Sequence, residues 1–304
     1  MKSFYTNEQI KKFVSQPLFD EKTLLNKDLS WPKISIITPS YNQGEFLERS
    51  ILSVLNQNYP NLEFIIIDGG SNDGSVEIIK KYAKYLAYWV SEKDKGQSDA
   101  LNKGFVRTKG EIVGWQNSDD IYLPGAFLKV AQFFKQNPKI DIIYGNRFDI
   151  DENDNIIGES RFTKFSRIVY QYNGISLGTQ STFWRKELFS KIGYFDSNLQ
   201  FAMDYEFFLR AAFKGTKFKY TPYYFGAMRR HKESKTEKFL YTPPHLEEKR
   251  KVDETYGRKF FLNLPLKIYS LLFRSFNYLL SGDIDYILRG VKRRIKNKSI
   301  LSGK

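Results

Sequence analysis

Ile34-Ser35-Ile36-Ile37-Thr38-Pro39 and, further on, Phe64-Ile65-Ile66-Ile67-Asp68-Gly69-Gly70 bracket the stretch that decides the fold. Both runs are short, apolar and β-branched, and each reads as a buried strand. Pro39 is expected to end the first. Between them, Asn42-Gln43-Gly44-Glu45 reads as a capping box that opens a helix. Phe46, Leu47, Ile51, Val54 and Leu55 form that helix's apolar face. Asn58-Tyr59-Pro60-Asn61 turns the chain back.

The same rhythm continues outward. A helix carrying Val76, Ile79 and Tyr82 leads to a third strand at 86–90. A helix over 97–107 leads to a fourth strand at 111–115. Pro124 suits the first turn of the next helix, whose apolar face is Phe127, Val130, Ala131 and Phe134. A fifth strand is expected at 140–144. Such alternation predicts an α/β fold with a mostly parallel, Rossmann-like sheet flanked by helices. Uniformly apolar strands fit burial on both faces. After Gly145 the pattern becomes irregular and aromatic-rich, with a hairpin turn expected at 151–155.

Composition narrows the chemistry. The 304 residues are 41% hydrophobic and 16% aromatic, enough for a large core. No cysteine is present, which excludes disulfides, thiolate metal sites and a cysteine nucleophile. The two histidines, His231 and His245, are too few for a histidine-rich zinc site. A bound metal would rest on carboxylate oxygens, which favours Mg²⁺ or Mn²⁺. Residues 1–30 read as a polar N-terminal extension without the apolar core of a signal peptide. No run approaches the roughly 18 apolar residues of a membrane span. The expected location is the cytoplasm.

In open parallel sheets, ligands bind beyond the carboxyl ends of the strands. Here four strand ends carry polar and glycine-rich turns: Pro39-Ser40-Tyr41-Asn42, Asp68-Gly69-Gly70-Ser71-Asn72-Asp73-Gly74, Glu92-Lys93-Asp94-Lys95-Gly96-Gln97 and Asn117-Ser118-Asp119-Asp120. The pair Asp119-Asp120 follows a buried strand, where carboxylates can share a hard cation with phosphate oxygens. The same pair could simply cap the next helix. No P-loop lysine motif and no dinucleotide fingerprint is present.

The motifs 32–42 and 67–75 resemble the start of family 2 glycosyltransferases, which have the GT-A fold. Asp94-Lys95-Gly96-Gln97-Ser98-Asp99-Ala100-Leu101-Asn102-Lys103-Gly104 and Gly114-Trp115-Gln116-Asn117-Ser118-Asp119-Asp120 are similar to a bacterial polysaccharide-synthesis branch of that family. The resemblance runs over roughly residues 32–232. It implies an enzyme with a nucleotide-sugar donor, UDP-linked, and a saccharide or lipid-linked acceptor. It places Tyr41 and Asp68 at the donor's base and Asp73 and Asp99 along the nucleotide site. Pro39, Gln97, Asn102 and Ser118 complete the expected donor-binding set. Asn117 stands where the family usually has the first Asp of its Asp-x-Asp element, and Asp119 stands in the second place. Asp119, Asp120 and His231 are the expected metal ligands for Mn²⁺ or Mg²⁺. Asp204 falls where the family places its catalytic base, with Met203 in place of the acid that often precedes it. An apolar neighbour favours a raised pKa there. Asp204 could also cap the helix that follows it. Processive members carry a Gln-x-x-Arg-Trp element and membrane spans. Neither occurs here, so one sugar per encounter is expected.

The organisation expected is an extension over 1–30, a catalytic domain over 31–235 and a basic helical region over 236–304. The catalytic domain divides into a nucleotide-binding half (31–145) and an acceptor half (146–235). Formal net charge is +14, and residues from Tyr286 onward include basic residues and no acid. Ile287, Leu288, Val291 and Ile295 share a helical face, with Arg289, Lys292, Arg293 and Lys296 largely elsewhere. That pattern suits an anionic membrane surface. It equally suits packing on the catalytic domain or on a second subunit, as in a homodimer. Two rival readings are a nucleotidyltransferase and a sugar-nucleotide binder with little activity. Nucleic acid is not expected, because the basic excess lies outside the motif region.

Overall fold

The structure is a computed structural model that describes residues 5–173, 177–240 and 242–290. The first half contains α1 (Asn7–Ser15), α2 (Glu21–Leu25), β1 (Ile34–Ser40), α3 (Gly44–Leu55), β2 (Leu62–Asp68), α4 (Ser75–Tyr82), β3 (Tyr88–Ser91), α5 (Gln97–Arg107), β4 (Ile112–Trp115), β5 (Ile121–Tyr122) and α6 (Ala126–Gln136). The second half contains β6 (Ile142–Ile150), β7 (Ile156–Ser160), α7 (Arg167–Asn173), β8 (Thr182–Arg185), α8 (Leu188–Ile192), α9 (Met203–Phe213), β9 (Phe218–Arg229), α10 (Lys235–Phe239), α11 (Pro243–Thr255) and α12 (Asn263–Leu280).

The nine strands among the described residues join one sheet in the order β3-β2-β1-β4-β8-β6-β9-β5, with β7 hydrogen-bonded to β6. The run β3-β2-β1-β4 is parallel, as the strand–helix alternation predicts. β8 then enters antiparallel between β4 and β6. β6 and β9 pair in parallel, and β5 closes antiparallel on β9. Side chains fill both faces. Ile36 meets Leu47, Ile51 and Val54 of α3 on one side. Ile37 meets Leu101 and Phe105 of α5 on the other. All of these are at most 2% exposed, and each such side chain contributes about 1.5–3 kcal/mol through burial.

Several boundaries differ from the sequence reading. Pro39 does not end β1 but sits inside it, paired with Ile67. Ile37 turns its carbonyl toward β4 and accepts from the Gln116 N–H. Pro39, two residues on, faces the same side, where β4 has already ended at Trp115. Its missing N–H therefore costs no ladder bond. Pro124 lies just before α6 rather than in its first turn, because β5 and a Gly125 in left-handed backbone (φ 75°) come first. The fifth expected strand is the start of the much longer β6. The hairpin at 151–155 is present, closed by the Asp151 N–H to the Asn155 carbonyl at 2.9 Å.

The N-terminal extension is part of the fold. Thr6 and Gln9 form a reciprocal capping box for α1. Ile10, Phe13 and Val14 are buried against Ile121, Leu123, Phe148 and Ile150. A polar composition hid the i, i+3, i+4 spacing of these three residues. The C-terminal region is likewise integrated. Val252 and Asp253 of α11 are buried, and Tyr205 of α9 donates to Asp253.

Candidate active site

The loops after β1 and β2 are zipped together. Asn42, in left-handed backbone (φ 50°), donates its N–H to Ser71 Oγ and accepts the Asn72 N–H at its side-chain oxygen. No capping box forms at 42–45. Asp73 instead crosses over and accepts the Gly44 N–H at 2.8 Å, capping α3 from the neighbouring loop. A side chain at position 44 would collide with the Asp73 carbonyl, 2.8 Å from where its Cβ would lie, so the approach requires glycine. Asp73 also accepts from the N–H and hydroxyl of Ser75. Burial raises its pKa, but these hydrogen bonds outweigh burial and leave it lower than usual. Asp68 is fully buried. It accepts from the Gly70 and Ser71 N–H groups and from the hydroxyls of Ser71 and Ser91. Tyr41 stands 62% exposed at the lip above them.

At the end of β4, the side chain of Asn117 is saturated. Its oxygen accepts from Trp115 Nε1 (2.7 Å) and Gln97 Nε2 (2.8 Å), and its nitrogen donates to Asp120 (2.9 Å). Asp120 is 2% exposed. Its carboxylate also accepts from Gln180 Nε2 and from the Arg229 N–H. Burial first, and the neighbouring Asp119 second, raise its pKa. Its oxygens are directed inward, to Asn117, Gln180 and Arg229, so Asp120 ties β4, the loop before β8 and β9 together. Ser118, beside it, is buried as well.

Asp119 points the other way. Its carboxylate Oδ2 lies 3.1 Å from Nε2 of His231, on the segment that follows β9. The imidazole rests on the ring of Phe46, with ring centroids 4.5 Å apart. Arg229 holds this corner together from beneath. It pairs with Asp154 at 2.6 Å and donates to the Asp119 carbonyl at 2.8 Å. In the basic run Arg229-Arg230-His231, Arg229 and His231 are buried, while Arg230 pairs with Glu237 at 2.9 Å. One carboxylate oxygen and one imidazole nitrogen, side by side, suit a cation such as Mn²⁺. Among the described residues no group of three or more His, Asp and Glu converges on a metal position.

Asp204 opens α9. Its carboxylate accepts the adjacent Tyr205 N–H at 2.7 Å. Burial raises its pKa, opposed by that N–H and by the positive fields of Lys235 and His245. Glu248 of α11 anchors the segment that leads into α9. That carboxylate accepts the N–H groups of Gln200, Phe201 and Ala202 at 2.7–3.1 Å. Lys235 lies 3.4 Å from Gln97 Oε1 and is electrostatically coupled to Asp204, so it bridges the Asn117 corner and the α9 corner.

Two expected donor residues have other partners. Asn102 bonds both ways with the main chain of Phe195 and pins α5 to that loop. Asp99 accepts the Lys95 N–H and lies 3.5 Å from Lys103. Gln97 remains beside the site through Asn117. Gln180 and Glu248 were not singled out by the sequence. Gln180 lies within residues 32–232, where the family resemblance runs, so a signal existed. Glu248 sits in Glu247-Glu248-Lys249-Arg250, which reads as an ordinary charged helix face.

Residues 35–193 match Glycosyl transferase family 2, and the chain belongs to that family. It is 31% identical over 188 residues to an uncharacterized glycosyltransferase of Mycobacterium tuberculosis, covering 60% of this chain and 70% of that protein. It is 27% identical over 198 residues to the poly-beta-1,6-N-acetyl-D-glucosamine synthase of Staphylococcus epidermidis. That match covers 62% of this chain and 48% of the synthase. Two solved structures share the fold. S. aureus TarS 1-349 in complex with UDP-GlcNAc has a TM-score of 0.59 at 20% identity, covering 74% of this chain and 66% of that one. Mannosyltransferase PcManGT from Pyrobaculum calidifontis, in complex with GDP-Man and Mn²⁺, has a TM-score of 0.53 at 16% identity, covering 95% and 87%. The chain is therefore a GT-A-fold glycosyltransferase.

Proposed function

We propose that this enzyme transfers a single sugar, with inversion, from a UDP-sugar to a hydroxyl of a saccharide or lipid-linked acceptor. The setting is cell-surface polysaccharide synthesis on the cytoplasmic side. The observation that carries the reading is the division of carboxylates: Asp119 faces His231, while Asp204 stands at the head of α9 with its pKa raised by burial. The kinship to the S. epidermidis synthase supports the polysaccharide context, and the TarS complex supports the uridine nucleotide.

In this reading Asp119 and His231 would hold a divalent metal beside the donor's diphosphate. When bound, that metal offsets the negative charge building on the leaving diphosphate. Asp204 accepts the proton of the acceptor hydroxyl. The hydroxyl oxygen bonds to the anomeric carbon from the face opposite the diphosphate, which departs with the electron pair of the broken C–O bond. The raised pKa of Asp204 suits a base that must hold that proton. Tyr41, exposed over Asp68, is placed to stack on the base, with Asp68 shaping the loop beneath it.

A donor screen tests the reading. UDP-, GDP- and dTDP-sugars are offered with Mn²⁺ or Mg²⁺, and both binding and nucleoside diphosphate release are measured. A UDP-sugar should bind with metal and release UDP faster when acceptor is present. Failure to bind any donor would overturn the proposal. Binding without release or transfer would favour the nucleotide-sugar-binding alternative.

A further inference from the structure

Nearly half of the large hydrophobic side chains left exposed among the described residues lie between Phe261 and Leu288. Helix α12 is the centre of this concentration. It lies on α7 and sinks Ser270 and Tyr278 into the protein, the Tyr278 hydroxyl donating to the Arg161 carbonyl at 2.7 Å. Its opposite side presents Leu264, Ile268, Leu272, Phe276 and Leu279, each more than half exposed. Their spacing of i, i+4, i+8, i+12 and i+15 puts them on one continuous face. At 18 residues the helix is about 27 Å long. No helix among the described residues is long and apolar enough to cross a membrane.

Charge selects the occupant. From Arg258 to Leu280 the chain carries Arg258, Lys259, Lys267 and Arg274 and no acid. Lys259 and Lys267 are exposed. The residues from Tyr286 onward add further basic residues and no acid. A second copy seated on this face would oppose like charges. An anionic lipid surface would meet both the apolar face and its cationic surroundings. We propose that α12 lies in the plane of an anionic membrane, its Leu264–Leu279 face immersed in the headgroup boundary. The helix beneath α12 is α7, and its Tyr170 hydroxyl lies 3.5 Å from the Asp204 carbonyl. One helix layer thus separates the lipid-facing surface from the expected catalytic base, which is where a lipid-linked acceptor would arrive. The docking surface goes beyond the transfer reading and its test does not need catalysis.

The test is co-sedimentation of the full chain with phosphatidylcholine vesicles, with and without about a third phosphatidylglycerol. The wild type should pellet with the anionic vesicles and be released by high salt. Leu272→Glu with Phe276→Glu should reduce binding at least about tenfold. Leu264→Glu with Ile268→Glu should do the same, and Leu29→Glu, at an exposed position far from α12 in sequence, should not. Wild type left in the supernatant, or a Leu272→Glu/Phe276→Glu variant that pellets unchanged, would overturn the proposal. So would light scattering that shows a dimer which this variant splits, with no vesicle binding by either.

Discussion

Asp119 and His231, separated by 112 residues of sequence, meet at 3.1 Å where the loop leading into β5 lies beside the end of β9. Neither group could hold a cation alone in water, and each is oriented by its surroundings: Asp119 by Arg229 at its carbonyl, His231 by the ring of Phe46. Asp119→Ala should lower kcat on the order of 10²–10³-fold, the range for removing one preorganised group that meets developing charge. His231→Gln should raise the Mn²⁺ concentration for half-maximal rate on the order of 10-fold. An unchanged metal titration in His231→Gln would remove that residue from the site.

Asn117 invites a misleading repair. Restoring the family's usual residue by Asn117→Asp would turn a donor to Asp120 into a second carboxylate beside it. Asp120 is already buried with a raised pKa. The substitution should cost about 1–3 kcal/mol and melt the protein several degrees lower. The loss should deepen as pH rises and both carboxylates ionise. Thermal melts from mildly acidic to mildly alkaline pH, with metal binding measured alongside, decide the matter. A stable variant with tighter metal binding would show that the Asn117 network is dispensable.

Asp204 gives a prediction with two signs. Because its folded pKa is raised, the folded chain keeps the proton over a window where the unfolded chain has lost it. Stability therefore falls as pH climbs from the ordinary carboxylate value through the raised one. Asp204→Asn removes that cost and should melt above the wild type at neutral pH, with the gap closing in acid. Transfer should fall about 10²–10⁴-fold while donor binding persists. Wild-type kcat should rise with pH through the same window and then level off. Full transfer by Asp204→Asn would end its assignment as the base.

Glu248 is a positioning residue, and its removal should separate stability from binding. Glu248→Ala leaves the N–H groups of Gln200, Phe201 and Ala202 without their carboxylate, at a cost of about 1–3 kcal/mol. It should lower kcat by displacing the head of α9 while leaving donor KM unchanged. Unchanged kcat in a destabilised variant would make Glu248 a stability residue alone.

Strands β1, β2 and β4 and helix α5 were legible in the sequence because parallel strands buried on both faces read as unbroken apolar runs. The strand ends were legible too, since their Gly, Asn and Asp residues have few other uses. Strand β5 was not, because two residues, Ile121 and Tyr122, pair only once β9 arrives from far along the chain. Nor could the sequence tell a carboxylate that closes a loop from one that faces a ligand. Asp68, Asp73 and Asp120 accept N–H groups and hydroxyls of the neighbouring chain, while Asp119, one residue from Asp120, is turned toward His231.

The place of β8 has a consequence for biosynthesis. As the nascent chain leaves the ribosome, β4 and β6 emerge well before Thr182–Arg185, the segment that lies between them. Until then the chain has two unpaired edges made of Ile112-Val113-Gly114-Trp115 and Ile142-Ile143-Tyr144, the kind of surface that recruits other chains. A product truncated between residues 150 and 180 would keep both edges open indefinitely. Adding four residues of β8 covers both of these edges and joins the two halves of the sheet, leaving only the far side of β6 to wait for β9.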